Sequence, residues 1–142
     1  MDQLKKLLNM LPAQKSPNDG TKKELLIIDD NLEVIQALTL ILSKEYRLVI
    51  CNSYEDSKSK MRDDIKVVLL DIKMALINGI EVFALLKKQY PNTNIIFHSA
   101  YPGSDASGVY AQELPHSGYL IKGEYSINEL LLTIDNAFSS TL

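Results

Sequence analysis

Five short apolar runs constrain this chain more than any other feature. Leu25–Ile28, Tyr46–Ile50, Val67–Leu70, Asn94–His98 and Tyr119–Ile121 have strand length and partial β-branching, and most lack apolar–polar alternation. Strands buried on both faces read this way, and the segments between these runs are long enough for crossover helices. Residues 31–44 place Val34, Ile35, Leu38, Ile41 and Leu42 on one helical stripe, and residues 79–90 do the same with Ile80, Phe83, Leu86 and Tyr90 before Pro91 closes the element. Ser126 followed by Glu129 is a capping-box signature for a last helix carrying Leu130, Leu131, Ile134 and Phe138. Weaker helical patterns cover 54–62 and about 105–113, the latter with Gly108 inside it. The alternation predicts an α/β fold: a doubly wound, five-stranded parallel sheet of order 2-1-3-4-5 flanked by five helices.

Residues 1–23 have a different character. Leu4, Leu7, Leu8 and Leu11 fall at helical spacing with Lys5 and Lys6 on the other face, Pro12 stops the pattern, and a polar stretch with Pro17 and Gly20 follows. The expected organisation is an N-terminal amphipathic helix and linker over 1–23 and one domain over 24–142. At 142 residues the chain is the size of a single ordinary domain. Its 46% hydrophobic content suffices for a core without disulfides. Fifteen basic against 18 acidic side chains leave a net charge of -3, which disfavours binding to a nucleic-acid backbone. The apolar runs are too short to cross a membrane, and a lone cysteine, Cys51, points to the reducing cytoplasm.

Ligand sites in open α/β sheets lie beyond the carboxyl ends of the strands. Asp29 and Asp30 follow the first run and Asp71 follows the third, and in the expected order those strands are neighbours. Asp30 alone would read as a helix N-cap, with Glu33 three residues on. Three carboxylates brought together repel one another unless a cation joins them. Mg²⁺ suits such a set, because it takes oxygen ligands, retains waters and leaves room for a phosphoryl oxygen. Ser99 and Lys122 follow the fourth and fifth runs and offer a hydroxyl and an ammonium as an oxyanion clamp. A carboxylate that accepts a phosphoryl group needs this arrangement.

The segments Leu-Ile-Ile-Asp-Asp (26–30), Val-Val-Leu-Leu-Asp-Ile-Lys-Met (67–74), Asn-Gly (78–79), His-Ser-Ala-Tyr (98–101) and Gly-Tyr-Leu-Ile-Lys (118–122), in this order and spacing, resemble the receiver domains of two-component response regulators, the CheY-like family. The resemblance spans residues 24–140 and implies a flavodoxin-like fold. It implies Asp71 as phospho-acceptor, with the phosphoryl group supplied by a sensor histidine kinase or histidine phosphotransfer protein. It implies Mg²⁺ held by Asp29, Asp30, Asp71 and the backbone carbonyl of Lys73, with Lys122 and Ser99 contacting the phosphoryl group. Tyr119 would be a switch residue that turns inward behind Ser99, remodelling the face of the fourth helix, fifth strand and fifth helix that binds a downstream protein or a second copy of the chain. Such a module is a signalling phospho-acceptor and not an enzyme, beyond catalysing its own phosphorylation and dephosphorylation. The mobile part would be the stretch 102–113.

Two positions depart from the family pattern. Ala75 and Gly123 stand where proline is common, the latter usually after a cis bond. They keep a second reading open, a degenerate receiver acting as a constitutive adaptor. Lys73 and Tyr101 stand where side chains can shield the phosphoryl group and prolong its lifetime. A flavodoxin-type cofactor carrier is disfavoured, since Asp29-Asp30-Asn31 would repel a phosphate, and a dehalogenase-like phosphatase would want an acid where Lys73 stands. Cys51 reads as a small buried hydrophobe, His98 as a residue packed beside the site, and His98 and His116 lack zinc-ligand spacing.

Overall fold

The structure is a computed structural model that describes Gln3 and residues 22–100 and 111–140. The elements run β1 (Lys23–Ile28), α1 (Leu32–Leu42), β2 (Tyr46–Cys51), α2 (Tyr54–Lys60), β3 (Val67–Leu70), α3 (Gly79–Gln89), β4 (Asn94–Ser99), α4 (the helical residues 111–113), β5 (Gly118–Ile121) and α5 (Ile127–Ser139). All five strands pair in parallel, in the order β2-β1-β3-β4-β5, as the run pattern predicts.

The missing polar alternation has a direct cause. Along each central strand, successive side chains enter opposite apolar layers. Leu26, Ile28, Val68, Leu70, Ile95 and Phe97 pack with Val82, Phe83 and Leu86 of α3. Leu25, Ile27, Val67, Leu69 and Ile96 pack on the other face with Leu38 and Leu42 of α1 and with Leu130, Ile134 and Phe138 of α5. Each such fully buried side chain is worth ~1.5–3 kcal/mol, so neither face can be surrendered to water. Val82, outside the predicted stripe of α3, is completely buried, whereas Ile80 and Tyr90 are only partly so. The residue pointing most squarely at the sheet is therefore offset from the stripe read in sequence.

One helix start bears directly on the acidic residues. Asn31, and not Asp30, caps α1: its side-chain oxygen accepts the Val34 amide. Asp30 is thereby left outside the helix. Asn78 caps α3, accepting the Ile80 amide, and Ser126 and Glu129 form the predicted capping box of α5. β1 begins at Lys23, inside the stretch read as linker, and Lys22 donates to the Ser43 carbonyl at 3.2 Å. The N-terminal amphipathic pattern (4–11), the rest of the linker up to residue 21, and residues 101–110 lie outside the described residues. No helix among the described residues is long and apolar enough to cross a membrane.

Candidate functional site

Three residues at the carboxyl edge of the sheet hang from the backbone ladder in the same way. The Asp29 amide donates to the carbonyl of Cys51, the Asp71 amide to that of Ile28, and the Lys122 amide to that of Ser99, at 3.1, 2.9 and 2.7 Å. Each acceptor is the last residue of the neighbouring strand. Every one of these side chains is therefore launched one rung beyond a strand end, from a position fixed by main-chain hydrogen bonds. Gly79 is the further local requirement: a Cβ there would lie 2.1 Å from the Asp71 carbonyl oxygen and 2.7 Å from Ile72 Cα, so only glycine lets α3 begin this close to β3.

The side chains converge. Carboxylate oxygens of Asp29, Asp30 and Asp71 lie within 4.8 Å of one another. Lys122 Nζ bridges two of them, 2.9 Å from Asp29 Oδ2 and 3.2 Å from Asp71 Oδ1. Asp29 and Asp71 are buried, whereas Asp30 is exposed and opens the cluster to water. Asp29 Oδ1 accepts the Asn31 amide at 2.9 Å, and Asp30 Oδ2 accepts the Ala75 amide at 2.9 Å. The bond from Ala75 became available because that position is not proline, which has no amide hydrogen to donate.

One ammonium does not balance three carboxylates. Burial, reinforced by the neighbouring Asp29 charge, pushes the Asp71 carboxyl up to about 7, with Lys122 opposing the rise and Asp30 adding to it. Among the described residues Asp29 Oδ2 takes no well-directed hydrogen bond, and its close counter-charge is the Lys122 ammonium. A buried oxygen in that condition, among hard oxygen donors of like charge and beside an exposed carboxylate, fits a small divalent cation.

Ser99 ends β4 and is fully buried. Lys73 is exposed on the connection between β3 and α3. Tyr119 is half-buried, its ring 6.1 Å from those of both Phe97 and His116. Tyr101 lies outside the described residues, as does the stretch 102–110. The peptide bond before Gly123 is trans, and Gly123 takes φ +79°, a left-handed conformation that suits glycine. Cys51 is fully buried and its thiol is pushed up to about 12 by burial, so it behaves as the expected small hydrophobe.

Sequence reasoning did not find Tyr125. Its hydroxyl lies 2.8 Å from His98 Nε2 and the two rings are 5.6 Å apart. His98 does neighbour Ser99 in β4, yet its side chain enters the opposite layer of the sheet. Strand alternation from Ile96 could have given that direction, but no periodic signal marks a tyrosine in a short loop.

A family model described as the response regulator receiver domain matches residues 25–135. This chain belongs to that family. Among solved structures, the receiver resembles a CheY-like response regulator receiver domain protein from Methanospirillum hungatei JF-1, with a TM-score of 0.75 at 22% identity over 85% of this chain and 97% of that one. It also resembles the Thermotoga maritima response regulator TrrA, solved in complex with Mg(2+)-BeF, with a TM-score of 0.67 at 25% identity over 81% of this chain and 98% of that one. Among curated relatives, it is 29% identical over 126 residues to the transcriptional regulatory protein ZraR of Klebsiella oxytoca, covering 86% of this chain and 28% of that protein. It is 28% identical over 113 residues to the response regulator SaeR of Staphylococcus aureus (strain USA300), covering 79% of this chain and 49% of that one. The receiver thus spans about half or less of the length of these curated relatives.

Proposed function

We propose that this receiver accepts a phosphoryl group on Asp71 from a histidine kinase or a histidine phosphotransfer protein and signals by altered protein binding. The observation that carries the reading is the meeting of Asp29, Asp30 and Asp71 around one point, with Lys122 spanning Asp29 and Asp71. In the step itself an Asp71 carboxylate oxygen bonds to phosphorus, the P–N bond of the donor phosphohistidine breaks, and its electron pair leaves with the imidazole, which takes up a proton. Lys122 stabilises charge on the transferred oxygens and Ser99 donates its hydroxyl to one of them. Asp29, Asp30, Asp71 and the Lys73 carbonyl are the residues that would hold Mg²⁺, which when bound supplies charge neutralisation at the phosphoryl group. The TrrA complex with Mg(2+)-BeF supports that ligand class.

Tyr119 is proposed as the switch, a reading supported by its half-buried place on β5 beside the Phe97 and His116 rings. Output would pass through the face of α4, β5 and α5 to a downstream protein or a second copy of the chain; α5 exposes Ile127 and Leu132. Lys73 and Tyr101 are proposed to shield the acyl phosphate from water. Residues 24–142 are proposed as the receiver domain and 1–23 as an appended helix and linker, working in the cytoplasm. One curated relative is a transcriptional regulator, so the expectation of no nucleic-acid partner is confined to the residues of this chain.

A constitutive adaptor is the second reading, favoured by the bond that already engages Asp30 with Ala75. Intact mass after incubation with acetyl phosphate and Mg²⁺ separates the two. One added phosphoryl group in the wild type and none in Asp71→Asn is the expected result; no addition to either would establish the adaptor.

A further inference from the structure

The Lys122 side chain is a flexible four-carbon stem, and placing its ammonium against two carboxylates at 2.9 and 3.2 Å requires a fixed root. The tip of the turn that carries it has little packing of its own, and the turn is held on its far side, where the Tyr125 ring packs against the core layer of Leu25, Ile27 and Leu130. Gly123 and Glu124 are exposed, a Cβ on Gly123 would meet nothing within 4 Å, and one turn bond, from the Glu124 amide to the Ile121 carbonyl, closes the bend. The side chain that reaches back is Tyr125, through its hydroxyl to His98 of β4.

His98 is a costly choice for filling space. It is 2% exposed, and its Nδ1 has no hydrogen-bond partner among the described residues. Burying an imidazole with one nitrogen unsatisfied is unfavourable where a leucine would pack freely. The contact that uses its polarity is the one to the phenol. That contact ties the turn after Lys122 to the residue preceding Ser99.

We infer that Tyr125 and His98 are positioning residues that hold the β5–α5 turn against β4 and so aim the Lys122 ammonium at Asp29 and Asp71. The inference rests on the phospho-acceptor reading for its consequence in phosphorylation, and on geometry alone for its effect on Lys122. Because the Lys122 amide already donates to the Ser99 carbonyl, the pair adds a second tether on the far side of the turn, so the lysine is held between two anchors on one strand.

Tyr125→Phe keeps the ring and removes one oxygen. Phosphoryl uptake from acetyl phosphate with Mg²⁺, followed by intact mass, is expected to slow ~10-fold in this variant and in His98→Leu, the scale on which small displacements act. His98→Gln, whose amide can still bond the phenol, is expected to recover most of the rate. In a Lys122→Ala background, Tyr125→Phe should change the rate by less than about twofold, because the residue it acts through is gone. Equal slowing in both backgrounds, or a wild-type rate in Tyr125→Phe, overturns the inference. A second readout does not depend on phosphorylation: the side-chain ammonium NMR signal of Lys122 in the metal-free protein should shift or broaden in Tyr125→Phe. An unchanged signal also overturns the inference. A changed signal in a protein that takes up no phosphoryl group would support the positioning role and defeat the phospho-acceptor reading instead.

Discussion

Asp30 accepts the amide of Ala75 across 45 residues of sequence, at 2.9 Å, so one of the three clustered carboxylates is tied to the connection between β3 and α3. A hydrogen bond to a charged group is worth ~1.5–3 kcal/mol, and a cation recruiting Asp30 has to share or displace it. Ala75→Pro removes the donor. Mg²⁺ binding, measured by calorimetric titration, is expected to tighten ~3- to 10-fold, the part of that bond released. Weaker binding in the variant would show that the bond instead orients Asp30 for the metal.

Asp71 titrates in the direction opposite to an ordinary stabilising carboxylate. Its folded value is raised to about 7, so the stability it contributes is full below the usual carboxyl range and lost as pH rises through 7. At pH 8 the metal-free protein therefore carries a buried charge beside Asp29. Asp71→Asn is expected to raise unfolding stability in urea by on the order of 1–3 kcal/mol at pH 8, and by much less at pH 5. Mg²⁺ should stabilise the wild type and leave the variant nearly unchanged. A destabilised variant would mean that the ion pair with Lys122 outweighs the repulsion.

His98 supplies a pH dependence of the other kind. Burial, aided by the Lys122 charge, lowers its imidazole from 6.5 to about 4. Between those values the unfolded chain takes up a proton that the folded chain refuses, so stability is present above 6.5 and lost as pH falls. Relative to His98→Gln, the wild type should lose about 2 kcal/mol between pH 7 and pH 5. Parallel stability curves for the two proteins would contradict this.

Gly79 and Gly118 offer an internal comparison. A Cβ on Gly79 meets backbone atoms of Asp71 and Ile72, whereas one on Gly118 meets, at 2.7 Å, a methyl group of the Thr133 side chain. Backbone cannot rotate away, so Gly79→Ala should destabilise by ~1–3 kcal/mol and slow phosphoryl uptake by displacing Asp71. Gly118→Ala should be milder in both assays. Equal effects would mean that the start of α3 can move without disturbing Asp71.

Much of this arrangement was legible in the sequence because its causes are local or periodic. The apolar runs at 25–28 and 67–70 lack alternation since both faces are covered, and that same fact places Asp29 and Asp71 at one sheet edge. What sequence could not give depends on contacts between distant segments. Asp30 and Asn31 are equally good caps by composition, and only the fold shows Asn31 taking the cap while Asp30 accepts the distant Ala75 amide. Val82 outranks Ile80 in the core because the approach of α3 is set at Gly79, a steric condition no hydrophobic pattern records. The pairing of Tyr125 with His98 joins a loop to a strand across 27 residues, and although alternation gives the layer His98 enters, nothing in the loop marks Tyr125 as its partner.

The extra rung that suspends Asp29, Asp71 and Lys122 has an evolutionary corollary. Their roots are gauged by the pitch of a parallel sheet, ~4.8 Å per strand, which is a constant of peptide geometry and indifferent to what the loops contain. Loops grafted between distant cousins should therefore leave the roots of these three side chains in register, while changing what their charged ends touch.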